Sequence, residues 1–363
     1  MLKFRALFKK IFDRPPGEPL LVFRKRRYRQ SKPPPQTIKE PGQLSTLPAP
    51  SSTRGKGRRG RRPEQLPEPG RFKKFIRGYA TGLLGSAGVV VLLLVGLFLF
   101  PSPRTNILVL GLDRRPVEKT FASRTDTMIL ATVDPARPYV GMLSLPRDLY
   151  VTLPNGESGR INTAHVEAEV AAPGTGPAAA MQTVRSNFGV KVDHFVRLDF
   201  AGFVKIVDAL GGIEINVPAP IMDDAYPTND GETQTISFKA GPQHMDGERA
   251  LIYARTRHSA SDFQRAERQQ AIIQACFKRL LQPGTWARLP LIAATVSESV
   301  NTDLTPFDIL RLTPALLRVG PAGLDRRVIE GDMVQPYTTE GGAAVQLPVW
   351  EKINPVLKEM FGE

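Results

Sequence analysis

Four arginines stand within fourteen positions, Arg255, Arg257, Arg265 and Arg268, in the run Y-A-R-T-R-H-S-A-S-D-F-Q-R-A-E-R-Q. A guanidinium group is a planar fork of N–H donors that matches phosphate oxygens, so arginines aimed at one point suit a phosphorylated ligand. If Leu251 to Arg257 is extended, the two-residue alternation of a strand puts Arg255 and Arg257 on one face. If a helix begins at Asp262, Arg265 and Arg268 are i, i+3 neighbours and share a face as well. The competing reading is a solvated charged surface paired with Asp262 and Glu267, where exposed pairs contribute little.

Asp and Arg also recur where apolar runs end. Asp113 closes N-I-L-V-L-G-L-D, Arg124 and Asp126 stand in S-R-T-D-T before the next run, and Arg147 and Asp148 close a third in L-P-R-D. Singly, each reads as a cap or an ion pair. Together they suit a hard cation plus an anionic oxygen ligand, placed where open sheets take ligands. No G-x-S-x-G, H-E-x-x-H, P-loop or dinucleotide fingerprint occurs, and His165, His194, His244 and His258 lack metal-ligand spacing. Ser144 and Ser158 have no neighbouring base and read as structural.

The elements that must position these groups are short apolar strands alternating with helices. T-M-I-L-A-T-V-D and Y-V-G-M-L-S-L-P-R-D read as strands, Ala178 to Phe188 as a helix, H-F-V-R-L-D as a strand and Phe200 to Leu210 as a helix. Gly211-Gly212 ends that helix before the strand I-E-I-N-V-P. The pattern implies an α/β (α+β) domain with a central mixed sheet flanked by helices, which residues 286–363 complete. The segment F-A-G-F-V-K-I-V, 200–207, reads equally as the wall of an apolar channel or as a core helix. Trp286 and Trp350 read as core or interface packing.

Charge is divided along the 363 residues. The net +14 comes from residues 1–78, with 22 Lys and Arg against 5 Asp and Glu, whereas residues 101–363 hold 27 against 30. The Pro-, Gly- and Arg-rich stretch 1–78 reads as a disordered tail, with an amphipathic helix at residues 2–12. Between the two lies Tyr79 to Phe100, 22 residues without a charge and long enough to cross a bilayer as a helix. Arg71, Lys73, Lys74 and Arg77 precede it, so the positive-inside rule puts the tail in the cytoplasm and the large domain outside the cell membrane. The tail suits anionic lipid heads better than nucleic acid, which is not expected as a partner. The single cysteine, Cys276, forms no intrachain disulfide and lies in an apolar helical stripe, where it is expected to be buried and inert.

The ordered blocks N-I-L-V-L-G-L-D-R, R-T-D-T, L-P-R-D, R-I-N, V-D-A-L-G-G-I, A-G-x-x-x-x-D-G-x-x-A-L-x-Y-A-R-x-R and D-F-x-R-x-x-R-Q span about Asn106 to Gln270. In this order they resemble the LytR-CpsA-Psr family of bacterial envelope proteins. The resemblance implies a magnesium-assisted phosphotransferase. It would move an anionic glycopolymer, such as teichoic acid or capsule, from a polyprenyl-pyrophosphate carrier to a peptidoglycan sugar hydroxyl. It implies magnesium (Mg2+) on Asp113 and Asp126, and pyrophosphate contacts from Arg114, Arg124, Arg147, Arg255, Arg257 and Arg265. Asp126, Arg147, Arg257 and Arg265 are then the expected catalytic residues, with Asp126 or Asp148 as base and Arg268 as a buttress. The chain departs from the family at Gln264, where D-F-G-R is usual, around His165, and at A-A-P-G-T-G-P after Val170. Two other activities fit the same residues: a polyprenyl-pyrophosphate phosphatase, and a membrane-anchored regulatory module without catalysis. No protein partner can be inferred.

Overall fold

The computed structural model describes residues 102–114, 121–227, 232–256 and 262–362, with Gly85, Ser86, Gly88 and Gly96 before them. The chain divides into two units, Met1–Glu68 and Pro69–Glu363, and the fold is that of the second. The expected basic tail, the helix at 2–12 and, those four positions apart, the span at 79–100 lie outside the described residues. Among the described residues no helix is long and apolar enough to cross a membrane.

The chain first forms β1 (Thr105–Leu112), β2 (Thr125–Asp134) and β3 (Tyr139–Ser144), then a hairpin of β4 (Tyr150–Thr152) and β5 (Ser158–Arg160). Helices α1 (Thr163–Ala171) and α2 (Gly176–Phe188) follow, then β6 (His194–Asp199), α3 (Phe200–Leu210) and β7 (Ile213–Val217). A second hairpin, β8 (Ile221–Pro227) with β9 (Thr233–Phe238), leads to β10 (Gly241–Met245), α4 (Gly247–Arg255) and α5 (Asp262–Leu280). The remainder comprises α6 (Pro283–Trp286), α7 (Leu289–Ser299), β11 (Val300–Thr302), α8 (Pro306–Val319), β12 (Asp325–Val328), β13 (Val334–Thr338), β14 (Ala344–Pro348) and α9 (Trp350–Phe361).

Six strands make the central sheet in the order β11-β6-β1-β2-β3-β12. It is mixed, with β6–β1 and β3–β12 parallel and the other pairs antiparallel. Both edge strands come from beyond residue 286, so the C-terminal part does complete the domain. Alternation along β1 sends Leu108 and Leu110, both fully buried, into the main core with Met128, Leu130 and Leu143, where α2 and α9 cover them. Burying each such side chain contributes roughly 1.5–3 kcal/mol. The opposite face is less closed. Its Ile107, Val109 and Ala131 lie in mid-sheet strands yet remain only partly buried.

A second core joins α3, β7 and β10 to α4 and α5 through Val207, Ile215, Met245, Tyr253 and Ile272. Gln270 of α5 ties this unit to the sheet by donating to the Met142 and Arg327 carbonyls and to Ser144 Oγ, at 3.3, 2.8 and 2.9 Å. Ser144 is therefore structural, as its sequence context suggested. Cys276 packs partly buried beside Ile272 and Leu280, and burial pushes its thiol up to about 12, which keeps it inert.

One expected element is overturned. Leu251 to Arg255 is not extended but forms the end of helix α4, whose N-cap Asp246 accepts from the Arg249 N–H at 2.8 Å. Gly247 starts that helix because any Cβ there would run into the Val204 backbone of α3. The helix at Asp262 and the helix Phe200–Leu210 stand as expected, the latter ended by Gly211 and Gly212, both at positive φ. Trp350 packs edge-on against Phe188 in the core, but Trp286 is exposed.

Candidate active site

The carboxyl ends of β1, β3 and β6 and the start of β2 lie along one edge of the sheet, because β1, β3 and β6 run the same way and β2 runs back. A cleft of about 520 Å³ opens there, lined by Asp113, Asp126, Thr127, Phe200, Arg255, Arg265 and Gln269, with Asp223 to Pro227 of β8 opposite. Asp113 follows β1 directly. Asp126 is the extra residue of a β-bulge: Gly111 pairs with Thr127 and Leu112 with Thr125, leaving Asp126 out of register. The bulge turns the strand locally, so that Asp126 and its neighbour Thr127 both face the cleft. The loop between the two carboxylates is held by Ser123 Oγ donating to the Asp113 carbonyl at 2.7 Å.

Arg147 reaches the same place from the end of β3, its Nη1 donating to Asp126 Oδ1 at 3.2 Å. With Asp126, Arg265 and Gln269 it lines a narrow extension of about 30 Å³. Arg255 ends α4; its guanidinium stacks on Phe200 at 4.3 Å and donates to the Tyr226 hydroxyl at 3.2 Å. Burial, ahead of the opposing effect of Arg255, raises the Tyr226 pKa, so the phenol stays protonated. Arg265 projects from the first turns of α5, with Gln269 one turn on.

Thr256, which follows α4 directly, is clamped from both sides. Thr256, fully buried, donates its hydroxyl to Asp223 Oδ2 at 2.6 Å, and its carbonyl accepts from Arg268 at 2.5 Å. Arg265 and Arg268 therefore do not share the cleft as their spacing suggested. Arg268 lies behind it over Tyr253, where burial pulls its guanidinium below the usual range, and it buttresses Thr256.

The other expected contacts divide. Arg114 is paired with Asp199 through two N–H groups, at 2.9 Å from Nε, and stacks on Phe121. Arg124 is exposed beside the cleft, where its carbonyl accepts from the Asp113 N–H at 3.3 Å. Arg257 lies outside the described residues. Asp148 sits between Arg147 and Arg160, at 3.4 and 3.3 Å, away from the cleft lining. Of the segment 200–207, Val207 is core, and Phe200 lines this charged cleft rather than an apolar channel.

Sequence reasoning missed a buried cluster beneath the site. Arg197 of β6 donates to Glu169 Oε2 at 3.2 Å and to His165 Nε2 at 3.1 Å, and all three residues are at most 5% exposed. His165 Nδ1 then donates to the Ser123 carbonyl at 3.2 Å, which assigns the tautomer and reaches the loop carrying Arg124. Burial, then Arg197, hold His165 below the usual histidine range, so it stays neutral. Burial works against the Glu169 carboxylate, but the Gly174 and Gly176 N–H groups and Arg197 outweigh it and depress its pKa. Gly176 is required here, since a Cβ would stand 2.7 Å from Glu169 Oε2. Tyr226, Asp223 and the stacking of Phe200 on Arg255 were also not foreseen. The H-x-x-x-E spacing of His165 and Glu169 on one helical face was the available signal.

The LytR_cpsA_psr family model matches residues 101–360. The chain is 32% identical over 259 residues to the polyisoprenyl-teichoic acid–peptidoglycan teichoic acid transferase TagU of Oceanobacillus iheyensis, covering 71% of this chain and 75% of that protein. It is 31% identical over 211 residues to regulatory protein MsrR of Staphylococcus aureus, covering 57% and 59%. Against several other relatives it spans 49–64% of their length. The crystal structure of Bacillus subtilis TagV superposes with a TM-score of 0.57 at 28% identity, over 72% of this chain and 98% of that one. The chain belongs to the LytR_cpsA_psr family.

Proposed function

We propose that the protein transfers an anionic glycopolymer from a polyprenyl-pyrophosphate carrier to a sugar hydroxyl of peptidoglycan, outside the cell membrane. The observation that carries this reading is the convergence of Asp113, Asp126, Arg255 and Arg265, from four separate segments, on one open cleft. The cleft pairs acidic groups for a cation with guanidinium forks for phosphate oxygens. The relatives named as teichoic acid transferases agree with it.

Asp113 and Asp126 would hold a magnesium ion. Their hard oxygens suit it, and an ion held by two carboxylates would be completed by water and phosphate oxygens. When bound, the ion would offset charge on the pyrophosphate and make polyprenyl phosphate a better leaving group. Arg255, Arg265 and Arg147 bind the remaining oxygens, and Phe200 and Tyr226 fix the direction of Arg255. The acceptor hydroxyl oxygen attacks the phosphorus that bears the polymer, forming one P–O bond as the bond to the bridging oxygen breaks. The hydroxyl proton passes to a carboxylate. Of the two candidates Asp126 lines the cleft and Asp148 lies outside it. This work is positioning and charge stabilisation, so the absence of a Ser-His pair from the cleft lining is no obstacle.

Incubating lipid-linked glycopolymer with the full chain, with and without peptidoglycan oligomers, tests the reading. Joined phosphodiester product that requires the oligomer is the expected result. Polyprenyl phosphate released equally with and without acceptor would instead identify a phosphatase, and no turnover of either kind a regulator.

A further inference from the structure

Helix α8 is apolar on two opposite sides. Its start is fixed by Thr305, which accepts from the Asp308 N–H at 3.2 Å while Asp308 accepts from the Thr305 N–H at 3.0 Å, with Pro306 at the first helical position. Leu312, Ala315, Leu316 and Val319 pack inward on Val133 and Val140 of the sheet. Phe307, Leu310, Pro314 and Leu317 recur at i, i+3, i+7 and i+10, and this spacing puts them on the face turned away from that packing. Phe307 is 63% exposed and Leu317 56%. A helix with one core face and a water-facing apolar stripe lacks a partner for the stripe.

The position of α8 in the fold says what that partner is. Val133 and Val140 flank the turn that faces the start of β1, since Thr105 pairs with Val133. Ser102 Oγ donates to the Arg311 carbonyl at 3.3 Å, so the chain enters the domain along this helix. Ser102 stands two residues after Phe100, the last residue of the uncharged 22-residue segment. If residues 79–100 cross the bilayer, a helix bonded that close to the last of them lies at its surface. The stripe itself carries no charge, and Arg311, Arg318 and the exposed Arg137 of the β2–β3 turn flank it, as suits a helix lying among lipid headgroups. The catalytic cleft is at the other end of β1, roughly 25 Å away at the rise of a strand.

We propose that the outward stripe of α8 seats on the outer leaflet of the bilayer crossed by residues 79–100, standing the domain with its cleft raised above the surface. The proposal rests on that segment being a span, and it adds an orientation that the transferase reading lacks.

The test is nitroxide collision accessibility in the full chain, reconstituted into vesicles of phosphatidylglycerol and phosphatidylethanolamine. Single labels go on Phe307→Cys, Leu310→Cys and Leu317→Cys, and on Glu167→Cys of α1, which is tied to the cleft end through His165. The three α8 labels are expected to meet oxygen more readily than a water-soluble nickel chelate, with the ratio reversed at residue 167. Flotation with the vesicles checks the span separately. A chain that floats but whose α8 labels meet the chelate as readily as residue 167 overturns the proposal alone, and a chain that does not float overturns the span with it. Spin–spin broadening between α8 labels would show a second copy on the stripe and also overturn it.

Discussion

Arg197 and Arg255 each stack on a phenylalanine ring, Phe121 at 4.1 Å and Phe200 at 4.3 Å, yet they differ in what answers their charge. Arg197 is buried against the Glu169 carboxylate, whose other contacts are two backbone N–H groups and whose neighbour is a neutral histidine. Arg255 faces an open cleft, and its hydrogen-bond partner is the hydroxyl of Tyr226. A guanidinium neutralised inside the fold is committed to structure, whereas one positioned by rings and a hydroxyl keeps its charge for a ligand. On the proposed function Arg197 is thus a strut and Arg255 a ligand.

Substitutions can break this contrast, beginning with the largest effect. Arg197→Met leaves Glu169 buried without its countercharge and is expected to cost about 3–5 kcal/mol, read from denaturant unfolding. Arg255→Ala is expected to leave that unfolding curve in place while transfer falls roughly a hundred- to a thousandfold, as when one preorganised charge-stabilising donor is removed. Should the two variants exchange phenotypes, the assignment of strut and ligand is wrong.

Acidity sharpens the comparison. His165 is neutral in the fold, its pKa depressed by burial and by Arg197, while an unfolded chain protonates it near pH ~6.5. As pH falls below that value the unfolded state binds more protons, and stability drops by at most about 1.4 kcal/mol per pH unit until the folded pKa is reached. Glu169, with its depressed pKa, adds stability that is present above the ordinary carboxylate range and lost as pH falls through its folded value. Unfolding measured between pH 7 and 5 should show the histidine slope, and His165→Gln should abolish it. The smallest expected effect is in the cleft: Phe200→Ala removes the stacking on Arg255, and transfer should fall about two- to fivefold, the size of an exposed cation–π contact.

The fold was legible wherever local signals agreed. Helix α3 and its Gly211-Gly212 stop were readable because an apolar period and a turn signal coincide there. The arginine run misled because Arg255 and Arg257 are two apart, which matches a strand, while the helix that contains Arg255 is set nine and eight residues upstream by Asp246 and Gly247. Asp113, Asp126 and Arg265 could be found because ligand groups cluster at strand ends and helix starts, and the cleft brings them together. Arg197 could not be placed from sequence. Its partners are 28 and 32 positions away, and nothing in H-F-V-R-L-D distinguishes a buried arginine from a surface one.

The central claim is that the carboxylate and arginine cleft performs the transfer. Its most direct test follows labelled lipid-linked glycopolymer onto peptidoglycan oligomers with the full chain in vesicles, comparing the wild-type chain with Asp126→Ala and Arg265→Ala. Joined product from the wild type and none from either variant, with both variants folded, is the expected result; undiminished joining by both variants would contradict the account.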